Sequence, residues 1–106
     1  MLPSVTPEEL ALELKGEHPP TIIDVRECHE LEISSLPGVI HIPLASLPGS
    51  LESFNKYANL VVMCRVGGRS GQAVSYMMNH GFTHVRNLTD GINGWARTVD
   101  PTMAEY

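Results

Sequence analysis

Cys64 closes an apolar, β-prone run, Leu60-Val61-Val62-Met63, and opens the segment Arg65-Val66-Gly67-Gly68-Arg69-Ser70. That order places a thiol between the end of a strand and the head of a helix. Backbone N–H groups and the positive end of a helix dipole converge there, and both favour a negative charge, so the thiol is expected to ionise easily. Gly67 and Gly68 allow the positive φ angles a ring of inward-pointing N–H groups needs. Arg65 and Arg69 add positive charge for an anionic substrate. Ser70 is placed either to cap the helix or to donate its hydroxyl to the sulfur. The plainer reading, an inert core thiol ending a buried strand, fits most cysteines. It does not account for two glycines and two arginines packed into six residues.

The elements that must hold this loop are legible as alternating strands and helices. Thr6-Pro7-Glu8-Glu9 has the cap, proline and acid of a helix start. Leu10, Ala11 and Leu14 give that helix one apolar face, and Gly16 stops it. Strands are expected at 21–25, 39–42, 60–63 and 83–86, and short helices at 27–33, 50–54 and 92–96. From Ser70 to His80 the pattern is helical, with Ala73, Val74, Met77 and Met78 on one face and Gly81 as the C-cap. Strands separated by helices imply an α/β fold with a parallel sheet covered on both faces. Ligands of such sheets bind at the carboxyl ends of the strands, where Asp24-Val25-Arg26 and Cys64 both fall.

The bounds of the chain agree with a small enzyme. Its 106 residues are read as a single domain, 1–106, 42% hydrophobic and 18% charged. A formal net charge of −5 argues against nonspecific nucleic-acid binding. No apolar run is long enough to span a membrane, and no basic-then-apolar leader opens the sequence, so the expected location is cytoplasmic. Two cysteines make no disulfide framework. The five histidines, at 18, 29, 41, 80 and 84, show no ligand spacing, so no metal and no cofactor are implied. Nothing in the pattern calls for an oligomer, and a monomer is expected.

Four segments together resemble a single-domain rhodanese. They are Ile23-Asp24-Val25-Arg26-Glu27, Leu36-Pro37-Gly38-Val39-Ile40-His41-Ile42-Pro43-Leu44, Cys64 through Ser70, and Leu88-Thr89-Asp90-Gly91-Ile92-Asn93-Gly94-Trp95. The resemblance implies a five-stranded parallel sheet flanked by helices on both faces. It implies that Cys64 carries sulfane sulfur as a persulfide, taken from thiosulfate or another small sulfur-donor anion. The acceptor would be cyanide, a thiol or a protein. The family commonly has Gly-His where Ser34-Ser35 stand, and Gly-Gly where Asp90-Gly91 stand, so local turn geometry is expected to differ there.

Other readings remain open. Related phosphatases and arsenate reductases have a loop of the form Cys-x5-Arg, one residue longer than Cys64 to Arg69. The shorter ring should suit a terminal sulfur better than a phosphoryl group. A dedicated persulfide carrier for a partner enzyme is not separable from a free thiosulfate sulfurtransferase by sequence. Asp24 and Arg26 either brace the rim as an ion pair, the favoured reading, or put Arg26 against the substrate. Cys28 is either a resolving thiol or, more simply, a spectator. Trp95, Met63, Met77 and Met78 are read as core.

Overall fold

A computed structural model describes residues 2–106. In chain order the elements are β1 (Ser4–Val5), α1 (Pro7–Leu14), β2 (Thr21–Asp24), a 3-10 turn (Cys28–Glu32), β3 (Ile40–His41), a 3-10 turn (Leu44–Ser46), α2 (Leu47–Ser50), a further 3-10 turn (Leu51–Ser53), β4 (Leu60–Met63), α3 (Gly68–Met78), β5 (Val85–Leu88) and α4 (Gly91–Thr98). The five strands form one parallel sheet in the order β1-β5-β4-β2-β3.

Alternation along β4 decides which face the cysteine takes. Leu60, Val62 and Cys64 pack with Ile23, Val25, Ala73, Val74 and Met77, against α3. Val61 and Met63 point the other way and pack with Leu10 of α1 and with Ile92 and Trp95 of α4. Side chains of a strand switch faces at every residue, so Cys64 must emerge on the α3 side. Both faces of the sheet are thus covered, as a central parallel strand requires.

Several boundaries differ from those the pattern predicts. β1 carries no periodic signal; its two residues pair beside Asn87 and Leu88 because β5 would otherwise be an open edge. β5 is Val85–Leu88 rather than 83–86, since Val85 and Leu88 are the apolar residues the two faces bury. α3 starts two residues before Ser70, with Gly67 as N-cap at φ 107°. Ser70 therefore does not cap the helix. Met77 is buried, whereas Met78, one residue and about 100° further round the helix, is 44% exposed. Asn79 is the C-cap, and Gly81 lies two residues beyond it at φ 91°. The helical stretch expected at 50–54 begins earlier, at Leu47, and continues as a 3-10 turn to Ser53. No helix among the described residues is long and apolar enough to cross a membrane.

Candidate active site

The chain leaves β4 at Met63, and the peptides of Cys64 and Arg65 are turned by α4. The N–H groups of Ile92 and Asn93, in the first turn of α4, donate to the carbonyls of Cys64 and Arg65 at 2.9 and 3.1 Å. With these carbonyls drawn outward, the N–H groups that follow face inward. Those of Gly67 and Ser70 donate to Cys64 Sγ at 3.1 and 3.4 Å. The left-handed turn at Gly67 permits this, because an L side chain at φ 107° would be strained. α4 can come this close only because Gly91 has no side chain. A Cβ there would lie 2.4 Å from the carbonyl oxygens of Cys64 and Arg65.

Cys64 is 1% exposed. Burial pushes its pKa up, but the Ser70 hydroxyl, when its proton turns to the sulfur, and the N–H groups of Ser70, Gly67 and Val66 outweigh that, so the thiol lies below its ordinary range. Ser70 Oγ sits 3.2 Å from Sγ. The same hydroxyl donates to Asn87 Oδ1 at 2.5 Å, and Asn87 Nδ2 donates to the Gly67 carbonyl at 3.2 Å.

Both loop arginines have partners within the protein. Both terminal nitrogens of Arg69 bind the Glu30 carboxylate, at 2.6 and 2.9 Å. Arg69 is held above its usual pKa by this pairing, and Glu30 is held well below the usual carboxylate range, first by Arg69. The positive charge of Arg69 is therefore largely matched by Glu30. Arg65 donates through Nε to the Tyr106 carbonyl and lies over the Tyr106 ring, 5.0 Å from its centroid. Val66 and Gly68 carry no side-chain contact to the sulfur; Val66 projects into solvent, 58% exposed.

Asp24 and Arg26 are both 0% exposed and form an ion pair of 2.8 Å. Arg26 spends its other donors on the carbonyls of Glu30 and Ser34 and on the Tyr106 hydroxyl. Burial lowers the Arg26 pKa, but Asp24 and Tyr106 outweigh it and leave the guanidinium firmly charged. The structure brings Asp24 and Arg26 together as a buried pair, with the Arg26 guanidinium satisfied from within the protein. At the departures from the family pattern, Asp90 takes a left-handed φ of 61° ahead of Gly91, and the buried Ser34 hydroxyl finds no partner among the described residues. Cys28 is an exposed free thiol, and Cys64 is a buried one. Among the described residues, no three His, Cys, Asp or Glu side chains cluster so as to hold a metal ion.

Sequence reasoning missed Glu30, Asn87 and Tyr106. Glu30 had a signal, an acid four residues after a buried arginine on a tight turn. Asn87 had another, a polar amide inside a strand bounded by Val85 and Leu88. Tyr106 had none, because its contacts to Arg26, Glu30, Arg65 and Asn93 all depend on how the chain folds back.

The chain is similar to known proteins in both sequence and fold. A protein of Allochromatium vinosum called Sulfurtransferase is 31% identical over 104 residues, 98% of this chain and 97% of that protein. The Rhodanese-like/PpiC domain-containing protein 12, chloroplastic, of Arabidopsis thaliana is 39% identical over 89 residues, 80% of this chain. The match spans only 30% of that longer protein. The crystal structure of a rhodanese-like domain protein from Staphylococcus aureus superposes with a TM-score of 0.85 at 30% identity, over 99% of both chains. Residues 6–98 match the rhodanese-like domain as a family, and the chain belongs to that family.

Proposed function

We propose that this protein is a sulfurtransferase in which Cys64 carries sulfane sulfur as a persulfide. The observation that carries this reading is the pair of N–H groups, from Gly67 and Ser70, aimed at Cys64 Sγ within a loop anchored to α4. Such a ring stabilises the thiolate that attacks and the same thiolate when it departs. With thiosulfate as donor, Cys64 Sγ attacks the outer sulfur. A new S–S bond forms, the old one breaks, and sulfite leaves with its electron pair. Cyanide or an acceptor thiolate then attacks the outer sulfur of the persulfide, and Cys64 leaves as thiolate. The loop residues Arg65 to Ser70 bind the donor, and Asp24 and Arg26 support the rim. The name of the Allochromatium relative supports sulfur transfer as the reaction class. Thiosulfate as donor, a small thiol or a protein as acceptor, and action as a cytoplasmic monomer are the finer parts of the proposal.

The test is the intact mass of the protein after incubation with thiosulfate, and again after cyanide. The expected result is a gain of one sulfur atom that cyanide removes. Cys64→Ser should show no gain and Cys28→Ser a full one. Sulfur carried on Cys28, or undiminished thiocyanate production by Cys64→Ser, would overturn the assignment.

A further inference from the structure

Asn87 lies inside the sheet, on β5, in register with Val62 of β4. Its amide is held from two sides. Nδ2 faces the Gly67 carbonyl at 3.2 Å and Oδ1 faces the Ser70 hydroxyl at 2.5 Å. A carbonyl can only accept, so the amide nitrogen must face Gly67 and the amide oxygen must face Ser70. The Ser70 hydroxyl has a single proton, and that proton is directed at Asn87. The lone pairs of Ser70 Oγ then face Cys64 Sγ, 3.2 Å away. A neutral thiol fits this arrangement, because its S–H donates to Ser70. A thiolate fits only if the hydroxyl turns its proton to the sulfur, which leaves Asn87 Oδ1 without a donor.

We propose that Asn87 is a positioning residue that competes with the Cys64 thiolate for the Ser70 hydroxyl proton and so limits how readily the sulfur ionises. The proposal rests on the reading of Cys64 as nucleophile. The N–H groups of Gly67 and Ser70 act on the thiolate whichever way the hydroxyl points. The charged groups on the elements around the sulfur are Arg65 of the loop, drawn to Tyr106, Arg69 on α3, matched by Glu30 of the 28–32 turn, and the Asp24–Arg26 pair at the end of the neighbouring strand β2. None of these touches the Ser70 hydroxyl, so the competition is a separate control on the same sulfur.

The experiment is the rate of Cys64 alkylation against pH, in a Cys28→Ser background. Asn87→Ala removes the competing acceptor and should lower the midpoint by about one pH unit, the effect of one hydrogen bond on an ionisation. Asn87→Asp keeps an acceptor and adds negative charge, so it should raise the midpoint. A merely loosened loop would raise it in both variants, and the opposite signs separate the two explanations. In a Ser70→Ala background, Asn87→Ala should no longer lower the midpoint. Should Asn87→Ala not fold, Asn87→Leu carries the same expectation. A midpoint that stays or rises in these acceptor-free variants, or a lowering that persists without the Ser70 hydroxyl, would overturn the proposal. Alkylation reads ionisation and needs no sulfur donor. A wild-type protein that takes up no sulfur would therefore remove the nucleophile reading and leave the midpoint shifts to be judged alone.

Discussion

A cysteine that is 1% exposed has lost nearly all its water, and that loss favours the neutral thiol. At Cys64, directed donors replace the water and hold the thiol below its ordinary range. Arg26 answers the same difficulty with a different partner. Its guanidinium is buried, always charged, and satisfied by Asp24, two backbone carbonyls and the Tyr106 hydroxyl. Such a pair is weak evidence for stability as a whole, but breaking it from one side strands a charge without water. Asp24→Ala is therefore expected to cost about 3–5 kcal/mol, read as a fall in the urea midpoint. Arg26→Met, which removes the charge and keeps much of the volume, strands the Asp24 carboxylate instead and should also lower the midpoint. A midpoint unchanged in both variants would show that the site does not depend on the pair. The motif Asp24-Val25-Arg26 showed this pair in the sequence, but not its burial. Burial depends on the 28–32 turn and Tyr106 closing over it.

The loop is shaped by two helix starts, one before and one after β5. α3 opens at Gly68, capped by Gly67 three residues after Cys64, and α4 opens at Gly91 and draws the carbonyls of Cys64 and Arg65 outward. Gly91→Ala tests this second anchor. It combines a φ of 58° with a Cβ placed 2.4 Å from two backbone oxygens, neither of which can move without re-aiming the loop. The expected cost is at least ~3 kcal/mol. Any folded fraction should alkylate at Cys64 more slowly near neutral pH, because α4 no longer turns the N–H groups inward. A variant of wild-type stability and alkylation rate would show that α4 does not shape the nest. Periodicity made β2, β4 and α3 legible, since each buries an apolar face of several residues. β1 was invisible because a two-residue strand has no period, and β5 slipped by two because Thr83 and Val85 suit a strand equally well. The Cys64 loop was legible because its chemistry is local. The α4 anchor was not, because Gly91 is required by a contact 26 to 27 residues away in sequence.

Across the whole molecule, one polar network joins segments that no local pattern connects. Glu30 binds both terminal nitrogens of Arg69 on α3, accepts from the Tyr106 hydroxyl at 2.6 Å, and accepts from the Glu27 N–H at 2.9 Å. Tyr106 in turn holds Arg26 and Arg65 and is bound through its backbone by Asn93 of α4. The first turn after β2, the head of α3 and the segment after α4 thus meet at a single carboxylate. Folding lowers the pKa of Glu30, with Arg69 as the largest cause, against a desolvation that opposes it. The sign of the pH dependence follows. Above the ordinary carboxylate value of ~4.3, Glu30 is ionised in folded and unfolded chains alike, and the stabilisation is complete. As the pH falls below about 4, the unfolded chain takes up the proton first, and the stabilisation drains away until the folded carboxyl is protonated too. Glu30→Gln should therefore cost about 1–2 kcal/mol at pH 7, a range reduced because Arg69 is partly exposed to screening solvent. At pH 3 the same substitution should cost much less. Glu9 and Glu13, whose pKa values folding also lowers, through Thr6 and Arg86, are present in both proteins and cancel in the difference. Urea unfolding of the two proteins at both pH values gives the comparison. A gap between them that is as wide at pH 3 as at pH 7 would mean that Glu30 acts by shape and neutral hydrogen bonding, and that its charge does not hold the three segments together.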